Sequence, residues 1–422
     1  MNYLIKTIGC QMNISESMRI DSTLAAYGAS RVDDLLYTDV IILNTCSVRA
    51  QSEQKAFSYL GKLEELQRMN MKRVKIIVFG CMVKRLGYKI KNRFKSIDLI
   101  IESEDINNVI AKIINSLQIS TNFNVQQKNK RILFNVSKYI PIMKGCNNYC
   151  SYCIVPIVRG VERSLDFNTL LNECYIAVKN SVKEIILLGQ NVNSYQFDSI
   201  NFVSLIKKIC SIEKLKRISF MTNHPKDFND DLINIISNEI KICSHIHLPL
   251  QSASNRILSA MNRKYTFEYY LELIEKIKTI IPDISITTDI IVGFPGETEK
   301  DFIETLNAVK KIKFNGLYVF KYSLRPNTKA AEMPDDVTLS DKKKRHTIIL
   351  QEAKKSSIEK KYKMIGSKQQ VLIKKIRNDI MEASTRNCQK IIISGGKQSD
   401  VGEFRNVYIS NIVKSNLVGR II

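Results

Sequence analysis

Three cysteines lie close together near the middle of the chain, in the pattern C-x3-C-x2-C. They are Cys146, Cys150 and Cys153. Three thiolates at this spacing can hold three corners of a four-iron cluster and leave the fourth iron without a protein ligand. Clusters that only carry electrons usually have four cysteine ligands. The pattern therefore predicts a cluster whose open iron binds a reactive molecule.

A zinc site and a redox dithiol are the alternative interpretations of this pattern. Zinc takes four protein ligands, or three and a water, and no histidine lies near the three cysteines in sequence to complete such a set. A thioredoxin-like Cys-x2-Cys pair would have no use for Cys146. An iron–sulfur cluster with an open iron fits the spacing best.

A second set of three cysteines, Cys10, Cys46 and Cys81, is spread over the first part of the chain. Each one lies just past the end of a predicted buried strand, and predicted helices separate the strands. Because parallel strands end at one edge of a sheet, these three thiols are expected to converge there. The strands are predicted at Tyr3–Ile8, Val40–Leu43 and Val74–Phe79, and the helices at Ser15–Tyr27 and Gln51–Met69.

A second strand–helix series begins at Tyr139 and predicts a six-strand parallel barrel or partial barrel. The cysteines of the C-x3-C-x2-C pattern follow its first strand, at the face where barrel enzymes place their active sites. The six strands are predicted at Ile140–Met143, Glu184–Leu188, Arg217–Met221, His245–Leu250, Ser285–Val292 and Leu317–Tyr322.

The last part of the chain changes character after a lysine-rich helix predicted over Asp341–Met364. From Gly366 onward there are ten Lys or Arg against four Asp or Glu. A small basic antiparallel β domain is a common nucleic-acid grip, although a solvated capping domain would look similar. Its strands are predicted at Gln370–Ile373, Lys390–Ile393, Asn406–Ile409 and Leu417–Ile422.

The composition of all 422 residues agrees with a large nucleic-acid-binding protein. Hydrophobic residues make up 44 % of the chain, and its formal net charge is +23. A basic field favours a polyanionic partner, although a lysine-rich composition alone would also raise the charge. We predict no signal peptide and no membrane span, hence a cytoplasmic protein. Its ten cysteines are then expected to be thiols or metal ligands rather than disulfides.

The C-x3-C-x2-C run, with an aromatic residue before its third cysteine, resembles the radical S-adenosylmethionine (SAM) superfamily. The resemblance implies that the open iron binds SAM and that one electron cleaves SAM to a 5′-deoxyadenosyl radical, which removes an unreactive hydrogen. Polar strand ends at Leu188–Asn193, His245–Ser252 and Thr288–Glu297 match the SAM-binding side of such a barrel. The cofactor contacts it implies are Tyr152, Gly189, Gln190, Asn191, His247, Gln251, Thr288, Asp289, Gly293 and Glu297.

Further strings resemble the methylthiotransferase family within that superfamily. They are Gly9–Asn13, Asn44–Arg49, Gly189–Asn193 and Tyr322–Arg325. The resemblance implies that Cys10, Cys46 and Cys81 hold a second [4Fe-4S] cluster, which presents sulfur to the substrate. Asn327 replaces a glycine usual after the last string, and Asn tolerates the left-handed backbone expected there.

The implied substrate is a tRNA whose adenosine next to the anticodon already carries an isopentenyl group on N6. Sulfur would be inserted at C2 of the adenine, and a second SAM would supply the methyl group. The resemblance also implies a TRAM-like C-terminal domain that grips tRNA, an electron donor such as flavodoxin or ferredoxin, and a monomer. Arg49, Arg159 and Arg325 are the candidate substrate contacts.

These observations predict an α/β protein of three domains. A parallel-sheet domain over residues 1–118 is followed by a linker over 119–134, a partial (βα)6 radical SAM barrel over 135–365 and the β domain over 366–422. One alternative is a methylthiotransferase for N6-threonylcarbamoyladenosine tRNA. The other, of a different class, is a non-catalytic iron–sulfur or zinc protein that binds RNA and senses redox state.

Several residues receive plainer predictions. His245 and His247 alternate on one strand face and are expected to be structural or close to SAM rather than metal ligands. The run Lys342–Arg345 is predicted to be a solvated helix face. Ordinary buried cysteine is the prediction for the four remaining thiols, Cys174, Cys210, Cys243 and Cys388.

Overall fold

The computed structural model describes residues 1–69, 73–102, 105–119 and 136–422. Apart from Ile119, the predicted linker over 119–134 lies outside the described residues. The described chain divides into two compact units. The first contains the described residues up to 119 together with 145–147 and 153–162, and the second contains the remainder.

The first unit is built on a five-stranded, all-parallel sheet with strand order β2-β1-β3-β4-β5. The central strand β3 is buried at all six positions, as expected for a parallel sheet covered by helices on both faces. The three strands predicted here are confirmed. The bounds are β1 Asn2–Ile8, α1 Gln11–Ala26, β2 Ser30–Arg31, β3 Val40–Thr45, α2 Ala50–Arg68, β4 Lys75–Gly80, α3 Cys81–Arg93, β5 Leu99–Ile101 and α4 Ile106–Ser116.

The alternation of side chains along these strands gives the first unit two separate apolar cores. Ile41, Leu43 and Val78 belong to one core, under α2 and α3. Ile42 and Phe79 belong to the other, which α1 and α4 cover. Successive residues of a strand point to opposite faces, so a continuous apolar strand supplies both cores at once. The sheet edge where these strands end is thereby fixed from two sides.

The second unit contains six parallel strands, arranged as two three-stranded sheets. A bridge between Ile218 and Ile242 connects the two sheets, which share one large apolar core. The predicted fourth strand is shorter than expected. His245–His247 forms a strand, and the next pairing is an isolated bridge between Gln251, whose φ is +71°, and Ile290. One helix between these elements, α5 Val155–Arg159, belongs to the first unit. The bounds in the second unit are β6 Ser137–Pro141, β7 Met143–Lys144, β8 Arg163–Ser164, α6 Phe167–Lys179, β9 Glu184–Leu188, β10 Gln196–Phe197, β11 Ile200–Asn201, α7 Phe202–Cys210, β12 Arg217–Phe220, α8 Asp230–Asn238, β13 His245–His247, α9 Asn255–Ala260, α10 Phe267–Ile280, β14 Ser285–Val292, α11 Glu299–Ile312, β15 Gly316–Lys321 and α12 Leu339–Tyr362.

The C-terminal residues form a closed five-stranded barrel with strand order β16-β17-β18-β20-β19. Its pairs are antiparallel, as predicted, except that β18 and β20 run parallel. Closure leaves no open sheet edge. The bounds are β16 Lys368–Arg377, β17 Ile380–Thr385, β18 Lys390–Ser394, β19 Phe404–Val413 and β20 Asn416–Ile421.

The small barrel belongs to the same compact unit as the six parallel strands. Arg217, at the start of β12, donates from Nη1 to the carbonyl and hydroxyl of Ser384 at 3.0 and 2.9 Å. Arg386 donates to the carbonyls of Ile242 and Glu239 at 3.1 and 3.2 Å. These buried polar contacts attach the C-terminal barrel to the N-terminal ends of the parallel strands.

The prediction that Lys342–Arg345 is a solvated face of α12 is wrong for two of its four residues. Lys343 and Lys344 are exposed, but Lys342 and Arg345 are only 5 % and 7 % exposed. Residues three apart share a helix face, so the same helix turns two cations outward and two inward. The inward pair finds carboxylate partners in Asp335 and Glu297.

Candidate functional site

The three thiols that were predicted to converge do so in the first unit. Cys46 and Cys81 are buried, and the Cys46 thiol donates a hydrogen bond to the sulfur of Cys10. This bond, opposed by burial, lowers the pKa of Cys10 well below its ordinary value, and it raises the pKa of Cys46. Burial raises the pKa of Cys81, against the positive charge of Arg159.

Two buried asparagines position Cys10 and Cys46 relative to each other. Asn13 Oδ1 accepts from the Cys10 amide at 3.1 Å, and Asn13 Nδ2 donates to Asn44 Oδ1 at 2.7 Å. Asn44 Nδ2 returns a bond to the Asn13 carbonyl at 2.9 Å. Both asparagines are fully buried, so the strings Gly-Cys-Gln-Met-Asn and Asn-Thr-Cys supply two amides that join the ends of β1 and β3.

Cys81 is positioned by the glycine before it. Gly80 has φ +106°, and a Cβ at this position would lie 2.3 Å from the Thr45 carbonyl oxygen. The Thr45 hydroxyl in turn donates to the Phe79 carbonyl at 2.7 Å. Only glycine allows β3 and β4 to approach this closely, which brings the sulfur of Cys81 to the edge where the other two thiols lie.

Arg159 lies beside the same thiols. It ends α5, whose Ile154 and Val158 pack on Cys81, and its Nε donates to the Cys81 sulfur at 3.2 Å. Nη1 lies 3.8 Å from Glu16 Oε1. Burial, which lowers the pKa of Arg159, is outweighed by the negative charges of Cys81 and Glu16, so that its pKa is raised. The residue predicted to contact substrate thus stands against a predicted cluster ligand.

The donor set of this site consists of thiols, which are the usual ligands of iron–sulfur clusters. Among the residues that the structure describes, no three His, Cys, Asp or Glu side chains are grouped closely enough to hold one metal ion. In a four-iron cluster each cysteine binds a different iron, so the ligands stand further apart than around one zinc. Two buried cysteines and a partly buried one, with a cationic neighbour, match the charge and chemistry of such a cluster.

In the second unit, Cys150 of the C-x3-C-x2-C set also contacts an arginine. Arg263 donates to the Cys150 sulfur from Nη1 at 3.3 Å. Its Nε donates to the Tyr265 hydroxyl at 3.0 Å and its Nη2 to the Pro249 carbonyl at 3.1 Å. Next to it, Ser151 donates from its amide to the Met261 carbonyl at 3.0 Å. These bonds fix the backbone at Cys150 to the segment that follows α9.

Unpartnered polar atoms mark the carboxyl ends of the parallel strands in the second unit. Gln190 Oε1 and Asn191 Oδ1 after β9, and Gln251 Oε1 after β13, are buried and have no hydrogen-bond partner within the described residues. Such atoms are costly when unsatisfied, and an amide-rich rim fits a polar ligand such as SAM. All three were predicted cofactor contacts. Gly189 supports the first two, because a Cβ there would lie 2.5 Å from Met143 Cγ.

Sequence analysis missed two residues of this rim, Asn223 and His224, which follow β12. Asn223 Oδ1 and His224 Nε2 are also buried and unpartnered within the part of the chain that the structure describes. His224 Nδ1 accepts from the Lys226 amide at 3.3 Å, and burial, with help from Arg263 and Lys226, lowers the pKa of His224 to about 2. The ring is therefore neutral and carries its proton on Nε2. The polar string at the end of β12 was the signal that could have found them.

The other predicted cofactor contacts fall into two groups. His247 lies between Thr287 Oγ1 at 3.0 Å and Asp289 Oδ2 at 3.4 Å, at the rim. Thr288, by contrast, is fully buried and its hydroxyl serves the backbone: it donates to the Leu248 carbonyl at 2.9 Å and accepts from the Leu250 amide at 2.9 Å. The structure therefore gives Thr288 a task in shaping the turn after β13.

Glu297 and Gly293 close the turn after β14. Glu297 Oε2 accepts from the Gly293 amide at 2.7 Å and from Arg345 Nη1 at 2.7 Å. Gly293 has φ +68°, and a Cβ there would lie 2.2 Å from Lys342 Cγ. The aromatic residue of the C-x3-C-x2-C run, Tyr152, packs on an apolar cluster that includes Phe294 in this turn.

The remaining predictions have mixed outcomes. Arg49 is exposed, whereas Arg325 is 7 % exposed. Asn327 has φ +67°, which confirms the left-handed backbone. Cys174, Cys210 and Cys243 are buried as predicted, and Cys388 is only partly buried. Tertiary structure brings two of them together. The thiol of Cys243 donates a hydrogen bond to the sulfur of Cys388, which also forms a hydrogen bond with His245.

Comparisons with known proteins found matches to both units of the chain. The model of the radical SAM superfamily matches residues 140–309, and that of "Uncharacterized protein family UPF0004" matches residues 2–102. A tRNA-2-methylthio-N(6)-dimethylallyladenosine synthase of Endomicrobium trichonymphae is 56 % identical over 422 residues, 100 % of both chains. The chain belongs to the family of tRNA-2-methylthio-N(6)-dimethylallyladenosine synthases.

A more distant member of this synthase family gives the same result. The protein of that name from Thermodesulfovibrio yellowstonii is 40 % identical, over 99 % of this chain and 98 % of its own length. Among solved structures, the radical SAM methyltransferase TsrM of Kitasatospora setae, with cobalamin and a [4Fe-4S] cluster bound, superposes with a TM-score of 0.58. It covers 78 % of this chain and 77 % of TsrM at 12 % identity, which supports the fold of this synthase family member and nothing finer.

Proposed function

We propose that this chain is a radical SAM methylthiotransferase that converts N6-dimethylallyladenosine, next to the anticodon of tRNA, into its 2-methylthio derivative. One observation carries the proposal. The 56 % identity to a synthase of that name extends over the whole of both chains, and so includes the segments that carry both cysteine sets and the C-terminal residues. The separate features of the site support it.

The cysteines have the roles that this reaction requires. Cys146, Cys150 and Cys153 would hold the cluster that binds SAM, and Cys10, Cys46 and Cys81 would hold the auxiliary cluster, which makes two [4Fe-4S] clusters in all. When bound, these groups supply one-electron cleavage of SAM, activation of an unreactive C–H bond, sulfur, and a methyl group. The protein's own part is to hold six thiols in place and to shape a polar rim for SAM.

The polar rim assigns binding tasks to particular side chains. The unpartnered atoms of Gln190, Asn191 and Gln251 would bind the polar groups of SAM. The Nε2–H of His224 donates a hydrogen bond without bringing a charge, because its pKa lies near 2. His247 with Asp289 would add a further polar pair at the rim.

The basic charge of the chain suits a tRNA substrate. The net charge is +23, and the closed β barrel at the C-terminus has a form that often grips nucleic acid. We assign residues 366–422 to a TRAM-like domain, 135–365 to the radical SAM core and 1–118 to the auxiliary-cluster domain. Arg49 and Arg325 remain candidate contacts to the tRNA.

The cellular setting follows from the proposed reaction. As a tRNA-modifying enzyme it would work in the cytoplasm, as a monomer, with electrons from a flavodoxin or ferredoxin. No helix among the described residues is long and apolar enough to cross a membrane.

Mass analysis of tRNA nucleosides tests the substrate. In cells that lack this chain, the 2-methylthio nucleoside should disappear and N6-dimethylallyladenosine should accumulate. Wild-type protein should restore the product and Cys10→Ala should not. Cys174→Ala is the matched control, since Cys174 is a buried helix cysteine in α6 outside both thiol sets, and it should restore the product fully. An unchanged nucleoside profile, or loss of a methylthio group only from threonylcarbamoyladenosine, would reject the proposed substrate.

Iron analysis after anaerobic reconstitution tests the two-cluster assignment. The wild-type chain should bind eight irons, four at each set of cysteines, and replacement of either set by alanine should leave four. Reduced wild-type protein should cleave SAM, whereas a redox-sensing RNA-binding protein would not. Four irons in fully reconstituted wild-type protein would contradict the second cluster.

A further inference from the structure

Arg159 is the buried cation of the first unit whose hydrogen bonds are incomplete. The residue is 5 % exposed and uses Nε for the Cys81 sulfur at 3.2 Å. Nη1 and Nη2 are buried and have no hydrogen-bond partner within the described parts of the chain. A guanidinium carries five N–H donors, so most of the hydrogen-bonding capacity of Arg159 is unused within the described parts of the chain.

Arg263 of the second unit differs from Arg159 in how completely its hydrogen bonds are satisfied. Arg263 of the second unit also donates to a cysteine sulfur, that of Cys150 at 3.3 Å. Its other two nitrogens are occupied, by the Tyr265 hydroxyl and the Pro249 carbonyl. All three nitrogens of Arg263 therefore donate to groups of the protein. Two nitrogens of Arg159 lack an acceptor within the described residues.

The charge around Arg159 indicates what that acceptor is. Its Nε lies 3.2 Å from the Cys81 sulfur and its Nη1 lies 3.8 Å from Glu16 Oε1. Cysteines that bind a metal are deprotonated, so Cys10, Cys46 and Cys81 would place negative charge beside this guanidinium. These are the three thiols of the predicted auxiliary cluster. A cluster bound to them adds inorganic sulfides, which are good acceptors, at the place where the Nη1 and Nη2 donors of Arg159 lack acceptors. No other class of ligand is needed to satisfy both nitrogens.

We propose that Arg159 is a positioning residue of the auxiliary iron–sulfur site: it fixes Cys81 through Nε and donates from Nη1 and Nη2 to the cluster's sulfur atoms, which raises the cluster's reduction potential. The inference rests on the ligand assignment made under the proposed function. A positive charge and N–H donors favour the reduced cluster, because reduction adds a negative charge in a buried, weakly screened place. Arg159 thereby makes electron transfer into the auxiliary site easier.

A redox titration followed by electron paramagnetic resonance (EPR) tests the proposal on the full chain. Cys146, Cys150 and Cys153 are replaced by alanine so that only the auxiliary cluster contributes signal. Arg159→Gln should lower the equilibrium constant for cluster reduction at least tenfold, which is about 59 mV for a one-electron couple. Arg159→Lys retains the positive charge but lacks the planar set of N–H donors, so its reduction potential should lie between those of the Arg159 and Arg159→Gln proteins. Arg31→Gln, at an exposed arginine of the same unit paired with Asp21, is the matched control and should leave the potential unchanged.

A second measurement detects contact between Arg159 and the cluster directly. Arginine labelled with 15N in its guanidinium should give a nitrogen coupling to the reduced auxiliary cluster in pulsed EPR, and Arg159→Lys should abolish it. Absence of this coupling in the protein with Arg159 intact would overturn the inference, as would an unchanged potential in an Arg159→Gln protein that holds four irons.

The iron content separates this inference from the proposed function. If the chain without the C-x3-C-x2-C cysteines binds no iron, the auxiliary ligand assignment fails and the inference fails with it. If it binds four irons but neither the potential nor the coupling depends on Arg159, the inference alone fails and the two-cluster assignment stands.

Discussion

At the scale of single residues, the site depends on small polar groups and glycines around the thiols. Asn13 and Asn44 donate hydrogen bonds to each other at 2.7 and 2.9 Å, and these bonds hold the segments of Cys10 and Cys46 together. Gly80 does the same for Cys81 by allowing β4 to approach Thr45. Each of these residues adjoins a cysteine in sequence or lies within three positions of one, so the motif strings carry both the ligands and the groups that orient them.

Gly80→Ala should unfold more easily and lose auxiliary iron. The added Cβ would lie 2.3 Å from the Thr45 carbonyl, at φ +106°. Backbone strain of this kind costs about 1–3 kcal/mol, so the free energy of unfolding should fall by about 2 kcal/mol or more, as measured by urea denaturation. Gly61→Ala is the control, because Gly61 lies inside α2 with nothing within 4 Å of its Cβ position. It should be neutral or more stable, by up to about 1 kcal/mol. Equal effects of the two substitutions would show that the Thr45 contact is unimportant.

At the scale of elements, helix α12 holds the turn after β14 in place. Arg345 Nη1 donates to Glu297 Oε2 at 2.7 Å and to its carbonyl at 2.9 Å, while Lys342 packs against Gly293. The turn follows the strand whose Asp289 lies at the polar rim. A helix that the sequence predicts to be a solvated lysine-rich segment therefore supports the turn after β14.

Arg345→Met should destabilise the protein by about 3 kcal/mol, because it leaves Glu297 buried without its cation. Burial already raises the pKa of Glu297, and loss of Arg345 raises it further. A group whose pKa is higher in the folded than in the unfolded protein favours the folded state at low pH. The loss in the free energy of unfolding caused by Arg345→Met should therefore shrink from pH 8 towards pH 5. Urea denaturation at both pH values measures it. Lys344→Met, at an exposed neighbour, should stay within about 0.5 kcal/mol of wild type, and a pH-independent deficit for Arg345→Met would contradict this account.

At the scale of the whole molecule, the small C-terminal barrel does more than extend the chain. Glu184 begins β9 with its side chain 1 % exposed, and its cation is Lys374 of β16, at 2.7 Å. With Arg217 and Arg386 it joins the small barrel to the parallel strands by buried polar bonds. A separate domain over residues 366–422 stays a prediction. The contacts named here couple the stability of the small C-terminal barrel to that of the parallel strands.

Lys374→Met should therefore destabilise the parallel barrel, although the substitution lies in the small one. It leaves Glu184 buried without a cation, and we expect a loss of about 2–3 kcal/mol. The adjacent Lys375→Met is the matched control, since Lys375 is 47 % exposed and pairs with Glu382 at the surface, and it should change the free energy of unfolding by less than about 0.5 kcal/mol. Hydrogen exchange at β9 localises the effect. Equal protection of β9 in both variants would contradict the coupling.

The sequence by itself determined the cysteine sets, the parallel strands and the family resemblance. Local spacing and apolar runs encode these features directly, since strands, helices and thiols that follow strands are properties of short segments. The left-handed Asn327 and the convergence of Cys10, Cys46 and Cys81 could be predicted in the same way. The residues of the rim at Gln190, Asn191 and Gln251 followed from the resemblance.

Only the tertiary structure decided which polar groups have partners. Arg159, Arg263 and Arg345 look alike in sequence, but each meets a different surrounding: two spare nitrogens beside Cys81, a saturated set at Cys150, and the carboxylate of Glu297. The Thr288 hydroxyl bonds two backbone groups, and His224, which was not among the predicted contacts, has an unpartnered Nε2 within the described residues. The physical reason is that burial and hydrogen-bond satisfaction depend on residues far apart in the chain, and the cost of an unsatisfied buried group is what separates a structural side chain from one that awaits a ligand.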